Sequence, residues 1–513
     1  MQAADRSAGG RHGPGWRGVK GALASLGATP DEGAWLAGLA TVTGCSWGRW
    51  LATGSLKVDE SYPSAAAGTA LFALLLVGWG LLVVGWCGFL TRPPAQARRL
   101  AFVGLLVAAL MLPMLSNDVF SLLAYGSQAA QGRDVYATAQ DLSQSRWYPW
   151  IGQHWDATPC VYGPTTLAAV LPAAFGAADP WRALALLRLV WLVPLAGVMH
   201  VSFVRLRRPL FHTMLWLNPL WLVEGPGQLH AEVVGVALVV AGILLQLRGR
   251  TGFGGALFAL AALGKYTFAF AGAWFWLSSP TIPPTSRVPG PRALRAVALA
   301  ATVAVVGVLF YAPFWHGLST LTEPVRALSR MNPGGSIVEV VGILVQLVRG
   351  GGVPHADMPV HEALELARAA QGTTWLVASL LLRLIALVVA VRAMGSMLRQ
   401  PADEARIALG TGILIVAVVT LASHRFQSWY LLTALPFFGL ASNANVAWRK
   451  WWIAVVACAT PTELIHVLPT TSPLLPAWSV ISNGAVVVVF LMSFRARYFS
   501  DDVRPEATAP VAP

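Results

Sequence analysis

The chain has 513 residues, of which 56% are hydrophobic and only 12% charged, too apolar for a soluble protein of this size. Its formal charge of +13 would suit nucleic acid only if the cations shared a soluble face, and they do not. They sit in short loops between apolar runs, at Arg98-Arg99, Arg205/Arg207/Arg208, Arg248/Arg250, Arg449-Lys450 and Arg495/Arg497, which is the positive-inside pattern of cytoplasmic loops, so no nucleic-acid partner is expected.

In chain order, the first 33 residues are Gly/Arg-rich and read as a disordered cytoplasmic tail. They lack the apolar core of a signal peptide, so the first helix is expected to be a retained anchor. Membrane segments are predicted at about 35–53, 65–90, 99–116, 183–204, 209–223, 229–247, 252–277, 297–315, 374–391, 406–423, 428–441, 451–467 and 477–494. Two shorter runs, 162–178 and 337–349, read as re-entrant or half-crossing. The runs are continuous rather than alternating, which argues against a β-barrel. Residues 498–513 read as a second cytoplasmic tail. Of the four cysteines, Cys45, Cys87 and Cys458 lie in apolar runs and only Cys160 in a loop, so no disulfide framework or zinc spacing follows.

Placing every Arg/Lys cluster in the cytoplasm forces 162–178 not to cross. It also forces 252–277 to be two short helices turning near Gly264-Lys265, since as one helix it would reach about 39 Å, longer than a bilayer core requires. The expectation is an all-α polytopic protein of about 14 transmembrane helices, with one domain over 34–497 and both termini inside. A large external loop at about 117–161 carries juxtamembrane helices. The unusual polar residues then share the external face.

Four constellations stand out. Asp118 follows an apolar run and opens a loop that holds Tyr125-Gly126, Gly132-Arg133-Asp134-Val135-Tyr136, Trp147-Tyr148-Pro149-Trp150, His154, Trp155, Asp156 and Tyr162-Gly163-Pro164. A carboxylate at the hydrocarbon edge is costly, hence a functional candidate; it can serve as general base on a hydroxyl, or simply cap a helix. The aromatic residues can stack on sugar rings or form an interface belt. Asp134 and Asp156 read as ordinary loop charges.

The second constellation runs from Asn218-Pro219 through Glu224 to His230-Ala231-Glu232 and reads as a broken helix lining a cavity. Glu224, His230 and Glu232 could bind sugar hydroxyls, phosphate or a metal, or could cap the two helices. One His and two carboxylates are too few to assign a metal; no cofactor is certain, and a divalent metal stays open. Third, Lys265, in Gly264-Lys265-Tyr266-Thr267, needs a partner: a lipid-linked phosphate or Glu232, unless it snorkels. Fourth, Ser423-His424-Arg425-Phe426-Gln427-Ser428-Trp429-Tyr430 joins two apolar runs. An external Arg425 suits a phosphate clamp, unless it is an ordinary loop charge. Pro313 and the 331–336 loop read as turns re-entering the membrane, and Arg383 as a buried ion-pair member. No Walker loop or dinucleotide fingerprint is present.

Taken in order, Ser116-Asn117-Asp118-Val119-Phe120-Ser121, Tyr125-Gly126, Gly132 to Tyr136, Tyr162-Gly163-Pro164, Asn218-Pro219, His230-Ala231-Glu232, Lys265-Tyr266-Thr267, Ser423-His424, Trp429-Tyr430-Leu431-Leu432 and Leu435-Pro436 resemble the GT-C-fold membrane glycosyltransferases. The nearest resemblance is to the polyprenol-phosphomannose-dependent α-1,6-mannosyltransferases, over residues from about 100 to 440. The family often has His-Asn-Asp where this chain has His230-Ala231-Glu232, and often a shorter, Pro-preceded Trp-Tyr where this chain inserts Arg425 to Ser428, which leaves the acceptor and the sugar open.

The resemblance implies a polyprenyl-phosphate sugar donor, a glycan or glycolipid acceptor, and a multi-pass protein of the bacterial inner membrane among membrane lipid, with an external active site. It carries the catalytic carboxylate onto Asp118. Lys265, Tyr266, His424 and Arg425 would then serve the donor phosphate, and Tyr125, Tyr162, Glu224, His230, Glu232 and Trp429 the substrates. The rival class is a secondary transporter or lipid flippase, which also has broken helices and buried charges. Against it stand polar residues gathered at one face and the lack of an inverted repeat.

Overall fold

Proline and short polar side chains set the helix starts. In the computed structural model, which describes residues 29–57, 64–137, 142–151, 158–278, 290–330, 372–399, 404–423, 427–442 and 446–463, the first helix α1 spans Pro30–Thr53. Thr29 caps it: its hydroxyl accepts from the Glu32 N–H, and the Glu32 carboxylate accepts from the Thr29 N–H, a capping box with Pro30 at the first position. The helix therefore begins inside the stretch expected to be tail. The same logic starts α2 (Ala65–Thr91) at Ser64 and α6 (Pro180–Arg205) at Asp179.

The remaining helices are α3 (Ala97–Ala109), α4 (Asp118–Ala130), α5 (Pro164–Gly176), α7 (Pro209–Leu215), α8 (Pro219–Leu222), α9 (Glu232–Gln246), α10 (Thr251–Gly264), α11 (Gly272–Leu277), α12 (Gly290–Tyr311), α13 (Ser319–Arg330), α14 (Gly372–Arg399), α15 (Glu404–Ala417), α16 (Leu435–Leu440) and α17 (Val446–Glu463). Among the described residues five helical stretches are long and apolar enough to cross a membrane: 65–91, 180–205, 297–314, 380–399 and 404–422. A sixth span arises if the bent pair Pro219–Gly227 and Glu232–Gln246 is one crossing. The helices at Pro164–Gly176 and Thr251–Gly264 are apolar but shorter. The run at 99–116 is helical only to Ala109, because the chain must unwind to reach the Asp118 helix. The expected segments at 337–349 and 477–494, the 331–336 turn, residues 1–28 and the tail 498–513 lie outside the described residues.

Side-chain contacts give the bundle two chemically different ends. Indole N–H groups tie the first two helices to the broken segment: Trp35 Nε1 donates to the Leu217 carbonyl at 3.0 Å, and Trp86 Nε1 to the Thr213 carbonyl at 2.8 Å. Buried backbone oxygens freed by a helix break need such donors, most of all where no water reaches. At one end Arg98 meets His200 Nδ1 at 2.9 Å, and Arg208 forms a two-pronged pair with Glu404 at 3.0 and 3.1 Å. Arg248 and Arg250 follow α9 at this same end. At the other end Trp47 donates to the Leu110 carbonyl, and the Leu112 N–H donates to Ser46. The chain then enters α4 at Asp118.

Residues 251–278 run from the arginine end to the other and back. α10 stops at Gly264, Lys265 is extended, a 3-10 turn covers Tyr266–Ala271, and α11 returns. Gln246 Nε2, at the end of α9, donates to both the Phe275 carbonyl (3.1 Å) and the Ser278 hydroxyl (3.0 Å), which fixes the return. This is the turn near Gly264-Lys265 expected from placing the Arg/Lys clusters on one face.

Candidate active site

Three interruptions of helical order converge at the end opposite the arginine clusters. The first is the extended stretch before α4. Gln228 Oε1 accepts from the backbone N–H groups of Met114 (2.8 Å) and Leu115 (2.9 Å), so one amide side chain satisfies two donors that no helix serves. Asn117 is the N-cap, and Asp118 is the first helical residue. Its carboxylate thus sits in the positive field of the α4 N-terminus and is 7% exposed.

The second interruption joins α8 to α9. Asn218 caps α8, its Oδ1 accepting from the Leu220 N–H at 2.9 Å and its Nδ2 donating to the Met214 carbonyl at 3.1 Å. A π-helical turn over Val223–Gly227 follows, and the path bends by 118° before α9. Leu229 adopts φ 57°, a left-handed conformation that costs a branched residue about 1–2 kcal/mol. That strain lies between Gln228 and His230, both fully buried and both turned into the site.

The third is the break at Lys265. Gly163 donates its N–H to the Gly264 carbonyl at 3.0 Å, and Thr166 Oγ1 donates to the same oxygen at 3.1 Å. A Cβ at position 163 would lie 1.9 Å from the Leu263 carbonyl oxygen, so only glycine allows the loop to approach this closely. The contact seats Tyr162 beside Asp118.

The resulting cluster is buried and mixed in charge. The Tyr162 hydroxyl donates to Asp118 Oδ2 at 2.9 Å. His230 stacks on Trp429, ring centroids 3.8 Å apart and planes 18° from parallel. Its Nδ1 lies 3.8 Å from Asp118 Oδ2 and its Nε2 lies 3.6 Å from Glu224 Oε2. Glu224 Oε1 accepts from the Ser428 hydroxyl at 2.8 Å. Lys265 Nζ pairs with Glu232 Oε1, and the same ammonium lies 4.2 Å from the Tyr430 ring centre and 5.7 Å from that of Tyr162. Asp118, Tyr162, Glu224, His230, Glu232, Lys265 and Trp429 are therefore brought together as one group.

Two of the expected residues border it with their hydroxyls engaged elsewhere, close enough for Asp118 to act on Tyr125 and for Lys265 and Glu232 to act on Tyr266. The Tyr125 hydroxyl donates to the Thr158 carbonyl at 2.6 Å, which anchors the loop rather than facing the cluster. Tyr266 is 43% exposed, and its side chain bonds Ser423. His424 and Arg425 lie outside the described residues, as do His154, Trp155 and Asp156. Pro313 sits in a 3-10 turn at the end of α12. Among the described residues no three His, Cys, Asp or Glu side chains converge at metal-ligating spacing.

Burial sets the ionisation of the loop. It pushes the Tyr162 hydroxyl well above the ordinary tyrosine range, and the charges of Asp118 and Glu232 push in the same direction. Tyr162 is thus held in its neutral, donating form beside Asp118. Burial, then the neighbouring Cys160, raises Tyr125 and Tyr136 likewise, and burial pushes the Cys160 thiol up to about 12, so this cysteine is an inert packing group.

Sequence reasoning did not single out Gln228, Ser428 or Tyr430 for roles at the site. Gln228 meets its partners across separations of 114 and 113 residues, and Ser428 meets Glu224 across 204, so no local spacing could reveal either. The only local signal was their place in polar stretches that interrupt apolar runs.

Comparison with known proteins gives a consistent picture. Residues 19–280 match the profile of the family described as alpha-(1->6)-mannopyranosyltransferase, N-terminal domain. The alpha-(1->6)-mannopyranosyltransferase A of Mycobacterium tuberculosis (strain ATCC 25618 / H37Rv) is 25% identical over 454 residues, covering 83% of this chain and 84% of that protein. The alpha-(1->6)-mannopyranosyltransferase B of Corynebacterium glutamicum is 27% identical over 234 residues, 39% of this chain and 38% of the relative. The A protein of the same species is 29% identical over 167 residues, 31% and 34% of the two chains.

Proposed function

The chain belongs to the alpha-(1->6)-mannopyranosyltransferase family of glycosyltransferases, and from that premise we propose that it moves a mannosyl unit from a polyprenyl-phosphate donor to a hydroxyl of a glycan or glycolipid. Transfer takes place on the external face of a bacterial inner membrane. The observation that carries this reading is the Asp118 carboxylate, buried at the α4 N-terminus among His230, Tyr162 and the Lys265–Glu232 pair, at the end of the bundle opposite the arginine clusters. By the positive-inside pattern the arginine end is cytoplasmic, which leaves the carboxylate outside. The transporter alternative loses its support, because the family is one of transferases.

The reaction is a single displacement. Asp118 accepts the proton of the acceptor hydroxyl as its oxygen attacks the anomeric carbon. The bond from that carbon to the phosphate oxygen breaks, its electron pair stays with the oxygen, and polyprenyl phosphate departs as an anion. Starting from a β-linked donor, inversion yields the α product. Tyr162, donating to one carboxylate oxygen, holds Asp118 in a fixed rotamer, and His230, wedged between Asp118 and Glu224 and backed by Trp429, limits where it can move. Lys265 is shared between Glu232 and the departing phosphate, with His424 and Arg425 of the Ser428-bearing loop supplying further positive charge. Energy comes from the donor's own sugar-phosphate bond.

The test is direct. Purified protein in lipid is given radiolabelled polyprenyl-phosphate mannose and a membrane glycolipid extract, beside the Asp118→Asn variant. Transfer by the parent and a loss of at least about 100-fold in a folded variant is expected. Undiminished turnover by Asp118→Asn would remove the base role, and silence of the parent with every polyprenyl-phosphate sugar would remove the donor assignment.

A further inference from the structure

Away from the Asp118 cluster, the external loop builds a second concavity. α4 and α5 run side by side in the same direction: a Cβ on Gly126 would lie 2.8 Å from Val170 Cγ1 and 2.9 Å from Ala174 Cβ, and the Ser127 hydroxyl reaches the Ala174 carbonyl. Both helices start at the catalytic end, at Asp118 and next to Tyr162. Both finish at a cavity of about 380 Å³, a volume in the range of small-molecule sites. Its lining includes Gln128, Gln131, Arg133, Gln144, Arg146 and Phe175. The walls are held from behind. Trp147 Nε1 donates to Ser127 Oγ at 2.9 Å, and Arg146 donates to the Ala174 carbonyl at 2.6 Å while its guanidinium lies 5.1 Å from the Trp147 ring centre.

The chemistry of that lining is specific. Two exposed glutamine amides, Gln131 and Gln144, each offer donors and an acceptor, the pairing that a sugar hydroxyl needs. Phe175 is 71% exposed, a flat apolar face for the C–H side of a hexose ring. Arg133 and Arg146 add donors. The ten-residue step along α4 from Asp118 to Gln128 sets the separation from the base at about 15 Å, at 1.5 Å per helical residue. An oligosaccharide spans that distance and a single sugar does not.

We propose that this cavity is a distal subsite for the saccharide chain of the acceptor, placed so that a chain held there delivers its growing end to Asp118. The proposal rests on the transferase reading above and adds the length of acceptor that the site measures. A rigid two-helix platform then sets the register between held chain and reacting hydroxyl, so longer acceptors gain affinity without a change at the base.

The experiment separates this from the transferase reading by measuring binding rather than turnover. The Asp118→Asn protein in lipid nanodiscs is titrated calorimetrically with α-1,6-mannotetraose and α-1,6-mannobiose. Gln131 and Gln144 are exposed, so Gln131→Ala/Gln144→Ala in the same background leaves the fold intact. The expected result is tetraose binding weakened about tenfold by the double change, the loss of one to two net hydrogen bonds, with biose binding unaltered. Phe175→Ala should weaken the tetraose comparably. Equal tetraose affinity with and without the glutamines, no advantage of tetraose over biose, or absence of tetraose binding would each overturn the subsite. So would displacement by millimolar inorganic phosphate, which would mark an anion site formed by the two arginines. Transfer by the parent, measured separately, judges the transferase reading whichever way the titration falls.

Discussion

Glu232→Gln tests how the site is held together. The Lys265 side chain is 9% exposed and that of Glu232 is 1% exposed, so the pair is a buried one. Removing one partner of such a pair leaves an uncompensated charge and costs about 3–5 kcal/mol. Glutamine keeps the shape of Glu232 and one acceptor oxygen, and the Tyr430 and Tyr162 rings continue to face the ammonium. The loss should therefore sit at the lower end, about 3 kcal/mol. Lys265→Met is the harsher change, since it leaves the Glu232 carboxylate facing the charge of Asp118; about 5 kcal/mol is expected.

The double variant removes both charges and should return to within about 1–2 kcal/mol of the parent, a coupling of about 6–7 kcal/mol. Unfolding of each protein by SDS in mixed micelles gives the four stabilities. Losses that simply add, or single variants within about 0.5 kcal/mol of the parent, would refute the reasoning by showing that water already screens the pair. Turnover of the double variant then asks a separate question. A stable but inactive protein assigns the Lys265–Glu232 pair to the reaction, and an active one confines both residues to structure.

Tyr162→Phe removes the donor to Asp118 and should lower kcat about tenfold with little change in KM, because it frees the carboxylate to rotate; an unaltered kcat would show that the bond does not position the base. Gly163→Ala puts a Cβ 1.9 Å from the Leu263 oxygen and must part the Gly163–Gly264 contact, costing about 1–3 kcal/mol and most of the activity; normal unfolding and turnover would refute that close approach. The tyrosines of the loop predict an alkaline limit. Their folded pKa values are raised, chiefly by burial, so the unfolded chain loses these protons first and stability falls as pH rises above about 10. Tyr162→Phe should make that fall shallower, as read from unfolding midpoints between pH 8 and 11, and an identical slope would remove Tyr162 as a cause.

The sequence by itself determined the class of the molecule. Continuous apolar runs cannot lie in water, and arginine clusters between them order the ends of the bundle, so helices, their approximate places and the opposition of two faces were legible from composition and charge. Asp118, His230, Glu232 and Lys265 were legible as well, because a polar residue inside an apolar run has no cheap explanation. The break at Gly264-Lys265 followed from keeping every Arg/Lys cluster on one face, and the length of the run agreed with it. Tertiary structure decided everything that depends on distance between interruptions. It chose Glu232 as the partner of Lys265, set Tyr162 on Asp118 through the approach of Gly163, placed His230 between two carboxylates, and turned Tyr125 away onto the Thr158 carbonyl. It also cut 99–116 short and bent the 219–246 path by 118°. The reason is physical: hydrophobicity is a local, additive property that can be read along a chain, whereas a buried polar group is satisfied by whichever distant group packing brings within about 3 Å.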